Sequence, residues 1–197
     1  MDGGSARDLR RAAGRFRGPR GLPRLWFFTD PERTPKPWKI AAALPAGAAV
    51  VFRHFGAPNR RVVARKLQRI CAQRRLLLLI GADPALAAAV GAAGVHLPER
   101  MATAALALKS VRPDWIVSVA AHSQAASRTI ADAVILSPIY PSRSPSSGAP
   151  LRIALAARIA RASSVPVIAL GGVKLPHMRE LANAGFSGAA GIDLFLG

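Results

Sequence analysis

Val165-Pro166-Val167-Ile168-Ala169-Leu170-Gly171-Gly172-Val173 decides how this chain is read, with Gly188-Ala189-Ala190-Gly191-Ile192 following one short helix later. The first run is apolar and rich in β-branched residues, and it closes on two glycines. This pattern predicts a buried strand whose end lets another group approach the backbone. The second run predicts a neighbouring buried strand that ends beside the first. Two adjacent strand ends that expose backbone N–H groups, late in an α/β chain, are a common phosphate cradle of eight-stranded parallel barrels. The expectation is therefore a phosphate-bearing small molecule held by Gly171, Gly172, Ile192 and Asp193. A lone Gly-Gly would equally suit a tight strand-to-helix turn; the paired arrangement favours a site.

Working outward, the rest of the chain repeats the same beat. Strand-like runs fall at 25–30, 48–55, 76–80, 94–97, 115–120, 133–138, 165–171 and 188–194. Amphipathic or alanine-rich segments lie between them at 38–44, 58–74, 84–92, 103–111, 124–130, 153–162 and 176–184. Eight strands with seven intervening helices predict a parallel α/β fold. A doubly wound sheet would place its Gly-rich turn after the first strand, where this chain has Thr29-Asp30-Pro31-Glu32. The fold class is thus a single (β/α)8 barrel over 25–197, and the chain's end at Gly197 predicts no full eighth helix. Such an uncovered eighth strand would leave apolar surface for a second copy to bury, so a homodimer is expected.

Composition narrows the function. With 197 residues, the chain suits one domain with a sizeable core. No apolar run reaches the length of a membrane span, so no membrane partner is expected. Cys71 is the single cysteine, which excludes an internal disulfide and fits a cytoplasmic location. The net charge of +18 is unevenly spread, with seven arginines in the first 24 residues. Residues 1–24 are read as a basic, flexible arm. Charge of this kind attracts polyanions without specificity; no recognisable module or aromatic-basic interleaving points to a specific nucleic acid.

In a parallel barrel, the chemistry sits at the C-terminal ends of the strands. The segments there include Leu25-Trp26-Phe27-Phe28-Thr29-Asp30, Gly94-Val95-His96-Leu97, Ala121-His122-Ser123 and Ser137-Pro138-Ile139-Tyr140-Pro141-Ser142. Together with 166–173 and 184–188, in this order and spacing, they resemble the thiamine phosphate synthase and thiazole tautomerase family. The resemblance covers nearly everything after residue 24. It implies a phosphate-binding barrel of thiamine biosynthesis whose ligand is a phosphorylated thiazole or a thiamine-related compound.

The synthase branch of that family joins a pyrimidine diphosphate to a thiazole phosphate and releases pyrophosphate, a reaction implied to need magnesium. Its two acidic metal positions fall here near Gly81-Ala82 and Arg100-Met101, so the candidate ligands are Asp83 and Glu99 alongside them. Three inward polar positions of the second strand read Val51, Arg53 and Phe55, which leaves Arg53 to meet an anionic group. After the sixth strand, Ser142 and Ser144 stand for the expected hydroxyls. Pro145 occupies the expected lysine position, and Arg143 is its candidate substitute. The departures gather in the diphosphate and metal half of the site.

The tautomerase branch shifts a proton within a thiazole carboxylate phosphate and needs no cofactor. The resemblance places its working histidine at His122. A histidine titrates near neutrality and can both take and give a proton. The preferred reading is a tautomerase-like enzyme with His122 as acid and base; the alternatives are a divergent magnesium-dependent synthase and a phosphate-binding barrel without catalysis. His96, between Val95 and Leu97, is read as a core histidine. His54 is read as facing outward, and His177 as exposed on a first helical turn.

Overall fold

The computed structural model describes residues 3–123, 129–142 and 148–196. Eight parallel strands close into a barrel in sequence order: β1 (Leu25–Phe28), β2 (Ala49–Phe52), β3 (Leu77–Gly81), β4 (Gly94–Leu97), β5 (Ile116–Ala121), β6 (Ala133–Leu136), β7 (Val167–Ala169) and β8 (Gly188–Gly191), with β8 pairing back to β1. Helices α2 (Pro37–Ala41), α3 (Arg60–Arg74), α4 (Pro84–Val90), α5 (Ala104–Val111), α6 (Ile153–Ala162) and α7 (Met178–Asn183) run between them. Most of the helix expected over 124–130 lies outside the described residues.

Side-chain alternation along the strands creates two cores. Trp26, Phe28, Val51, Leu79, Ile135 and Ile168 fill the barrel interior. Leu25, Phe27, Val50, Phe52 and Val95 face the helices, where Leu67 and Cys71 of α3 meet them. Register explains how the barrel holds its largest side chain. Trp26 is paired with Ala49 on one side and Ala190 on the other, so small residues flank the indole, and its Nε1–H donates to the Pro23 carbonyl at 2.7 Å. Burial pushes the Cys71 thiol up to about 12, which suits a residue that fills space.

The first 24 residues differ from the expected free arm. Helix α1 (Gly3–Ala13) and the turn after it bury Leu9 and Phe16, each 1% exposed, in the cluster that contains Phe27 and Phe195. The physical reason is the spacing of Leu9, Ala13 and Phe16 at i, i+4 and i+7, one apolar stripe in an arginine-rich segment. The helix packs beside α7. After β8 the described residues form a 3₁₀ turn, Asp193–Phe195, whose Phe195 meets Phe27 edge-on at 5.7 Å. Leu9, Ala13 and Phe16 thus share one buried cluster with Ala189 and Phe195, so residues of the N-terminal segment cover part of the apolar surface beside β8. Among the described residues, no helix is long and apolar enough to cross a membrane.

Candidate functional site

At the C-terminal ends of the strands lies a cavity of about 170 Å³. Gly171 and Gly172 from the end of β7 and Ile192 and Asp193 from the end of β8 line one side of it, with Ser142 alongside. Arg53 after β2 and His122 after β5 line the other parts. Seven residues singled out in the sequence thus share one cavity. Ser144 and Arg143 lie outside the described residues, and neither Asp83 nor Glu99 lines the cavity.

The glycines at the β7 tip are required by the backbone. Gly171 has φ +95° and Gly172 φ +62°, and a Cβ on Gly172 would lie 2.2 Å from the Pro141 carbonyl oxygen. They let the β7 tip nest against the loop after β6, where Ile139 and Tyr140 donate their N–H groups to the carbonyls of Leu170 and Gly171 at 3.0 and 2.9 Å. Among the described residues, no backbone carbonyl accepts from the N–H groups of Gly171, Gly172, Ile192 or Asp193. Four amide donors at two neighbouring tips border one cavity.

Two guanidinium groups join them. Arg53 is locked in place: its N–H donates to Thr29 Oγ1 at 2.9 Å, its Nε donates to the Thr29 carbonyl at 3.1 Å, and its guanidinium lies over the Phe28 ring at 5.2 Å. Burial pulls its pKa below the usual value. Arg33 was not singled out in the sequence. It lies in the loop after β1, where the Asp30 carboxylate accepts the N–H groups of Glu32 and Arg33 at 3.0 and 2.9 Å. Arg33 lines the cavity and forms an ion pair with Asp193.

His122 is held by Glu99. A single oxygen, Glu99 Oε2, accepts from His122 Nδ1 at 2.7 Å and from the His122 backbone N–H at 3.0 Å. These two contacts orient the imidazole through Nδ1. The parallel register explains the pairing: His96 and Leu97 stand opposite Ser118 and Val119, so the segments after β4 and β5 emerge side by side. Glu99 is therefore engaged by both the ring and the backbone of His122. Asp83 has other work as well: it caps α4 by accepting from the Leu86 N–H at 2.8 Å, and it pairs with Arg60. Magnesium takes oxygen ligands in a near-octahedral shell, commonly one or two free carboxylates with substrate phosphates. Both candidate carboxylates already have partners, Arg60 and the Leu86 N–H for Asp83 and His122 for Glu99, and neither carboxylate lines the cavity. Among the described residues, no cluster of three His, Cys, Asp or Glu side chains converges. The donor set does not fit a magnesium ion.

The other histidines depart from their sequence reading. His96 is buried as foreseen, yet it lines the cavity. Its Nδ1 meets Ser118 Oγ at 3.1 Å and its ring packs edge-on against Phe28 at 5.1 Å. Burial, and secondarily Arg53, lower its pKa to about 3, so the ring is neutral. His54 faces away from the barrel interior, but it is buried against Phe52 rather than solvated, and burial lowers its pKa too. His177 is half-buried, stacked 4.0 Å from Tyr140, whose hydroxyl donates to Glu180 at 2.6 Å.

With this geometry in view, comparison with known proteins is direct. Residues 25–195 match the family model described as thiamine monophosphate synthase. A thiamine-phosphate synthase of Anaeromyxobacter dehalogenans is 35% identical over 163 residues, covering 79% of this chain and 73% of its own. One from Marinobacter nauticus is 34% identical over 174 residues, covering 83% of this chain and 78% of its own. Among solved structures, a thiamine phosphate pyrophosphorylase from Pyrococcus furiosus superposes with a TM-score of 0.71 at 22% identity, covering 86% of this chain and 85% of that one, a likeness of fold. The match spans every strand of the barrel and both strand tips of the cavity, and the chain belongs to the thiamine monophosphate synthase family.

Proposed function

We propose that this protein binds a phosphorylated thiazole in the cavity above the barrel and acts on it by proton transfer at His122. The reading rests on one observation: His122, oriented by Glu99, shares a single cavity with the amide tips of β7 and β8. The phosphate would lie against the N–H groups of Gly171, Gly172, Ile192 and Asp193, with the Ser142 hydroxyl beside it. Backbone amides are preorganised donors and need no rearrangement when an anion arrives. Arg53 would face the substrate's carboxylate, its Nε already spent on Thr29 and its remaining N–H groups available. His122 Nε2 would then remove a proton from one position of the thiazole and return it to another. Nothing is gained or lost overall, so a single positioned acid-base group suffices.

A second reading has its own support. The curated relatives carry the name thiamine-phosphate synthase, which favours condensation with a pyrimidine diphosphate. Family membership and the names of the relatives support this alternative better than they support the isomerase reading, and the ion pairs of Asp83 and Glu99 are what weigh against it. One experiment separates them. The purified protein is given thiazole carboxylate phosphate alone, then thiazole phosphate with pyrimidine diphosphate and magnesium. Isomerisation in the first mixture, abolished in His122→Ala, carries the proposal. Pyrophosphate release in the second mixture rejects it in favour of the synthase. Thermal stabilisation by thiazole phosphate without turnover in either mixture assigns a binding role instead.

A further inference from the structure

Arg33 and Asp193 form an ion pair that borders the phosphate end of the cavity, and this arrangement raises a question of charge. Asp193 contributes a backbone N–H to the amide tips, yet its own carboxylate lies in the same wall. A phosphate drawn to those amides therefore enters beside a fixed negative charge. Arg33 resolves the conflict, because a planar guanidinium fork fits phosphate oxygens as well as carboxylate oxygens. The loop that carries Arg33 is built to hold it there. Asp30 accepts two loop N–H groups, and Thr34 closes the turn through Oγ1, which accepts from the Asp30 N–H at 2.7 Å and donates to the Asp30 carbonyl at 2.8 Å.

Asp193 also has a second place to go. A smaller cavity of about 130 Å³ shares Ser142, Gly172, Val173 and Asp193 with the first and is bordered by Lys174. Asp193 thus stands on the wall between a space bordered by Arg33 and one bordered by Lys174. Its side chain is 43% exposed, against 24% for Arg33, so the carboxylate is the freer partner of the pair.

We infer that Arg33 is a phosphate clamp for which the Asp193 carboxylate competes, so that Asp193 sets the affinity of the site for phosphorylated ligands. The inference rests on the phosphate reading above, but its test does not depend on turnover. Inorganic phosphate and thiazole phosphate are titrated calorimetrically into the wild-type protein, Asp193→Asn, Arg33→Gln and the double variant. Removing the competing charge is expected to tighten phosphate binding about threefold to tenfold, and removing the clamp to weaken it about tenfold. In the double variant, the gain from Asp193→Asn should shrink to less than twofold, because no guanidinium is left to release. Asp193→Ser serves as a second variant if Asn perturbs the fold, with melting curves as the control. An unchanged or weaker phosphate affinity in both Asp193 variants overturns the inference, since it would make Asp193 a mere support for Arg33. Absence of phosphate binding in every variant at millimolar concentration overturns it too. Failed isomerisation with tightened phosphate binding in Asp193→Asn would sink only the catalytic reading.

Discussion

His96 makes the acid stability of this barrel measurable at one side chain. The ring is buried at the cavity floor with Nδ1 on Ser118, and its pKa is lowered from 6.5 to about 3, first by burial and then by Arg53. In the unfolded chain the same ring takes a proton near pH 6.5. Between those two values the unfolded state binds one more proton than the folded state, so stability rises with pH. The contribution is fully present above pH 6.5 and is lost as pH falls toward 3. The slope of one such proton is about 1.4 kcal/mol per pH unit, so moving from pH 7 to pH 5 costs about 2 kcal/mol through His96 alone. His54 is shifted in the same direction, so the wild-type loss includes its share as well. The test is urea unfolding of the wild-type protein and His96→Gln at both pH values. Glutamine changes stability at each pH, but the difference of differences isolates the proton. The wild type should lose about 2 kcal/mol more than the variant between pH 7 and pH 5. Equal losses, within about 0.5 kcal/mol, would refute a neutral buried His96.

Three other outcomes follow from the packing and the site. Phe16→Ala should destabilise the fold by about 3–5 kcal/mol and lower the melting temperature by roughly 6–20 °C, because the ring is 1% exposed in the main core; a melting point within about 2 °C of wild type would mean that α1 is detached in solution. Gly172→Ala should cost more than Gly21→Ala, by about 1 kcal/mol or more in chemical unfolding. Both positions have positive φ, but only at 172 would the new Cβ meet a carbonyl oxygen, whereas nothing lies within 4 Å at 21; equal costs argue against the tight nesting of the β7 tip. Glu99→Gln should slow isomerisation about tenfold to a hundredfold while leaving thiazole phosphate affinity within about twofold, since Glu99 orients the base and does not line the cavity. An unchanged rate in that variant would remove Glu99 from the machinery.

How much of this was legible depends on whether the signal is local. Strand runs such as Leu76–Ile80 and Val165–Gly171 carry their own burial, because both faces of a parallel barrel strand are covered and the run needs no alternation to be recognised. The glycines at 171 and 172 were legible for the same local reason, although the structure crowds them against Pro138 and Ile139 at 171 and against Tyr140 and Pro141 at 172. Helix α1 was missed because arginine and glycine dominate residues 1–24, while the apolar stripe of Leu9, Ala13 and Phe16 is only three residues wide. Counting positions at helical spacing, instead of weighing composition, would have found it. His96 was read from its flanks as a core histidine, and it is buried with a partner; that it also borders the cavity was not read. Val95 and Leu97 face the helices, and the residue between them faces the barrel interior, so apolar neighbours in a strand mark an inward side chain.

The carboxylates show where sequence reading must stop. Asp83, Glu99 and Asp193 each lie close to the end of a strand, and position alone makes all three look available to a cation or a substrate. Their availability is decided by partners that lie far off along the chain: Arg60 for Asp83, His122 for Glu99 and Arg33 for Asp193. A chain with 28 basic and 10 acidic side chains makes such capture the rule. Each acid that reaches a basic neighbour is neutralised locally, and fewer are left to gather a divalent ion. The surplus of arginine therefore has a consequence at the site itself. On the reading proposed above, it would favour direct recognition of an anion by guanidinium and amide groups over metal-held diphosphate chemistry. Restoring an uncommitted carboxylate tests this directly: Arg60→Gln releases Asp83 from its ion pair, and if charge capture is what denies the site its metal, magnesium titration should then give a binding heat that the parent protein lacks.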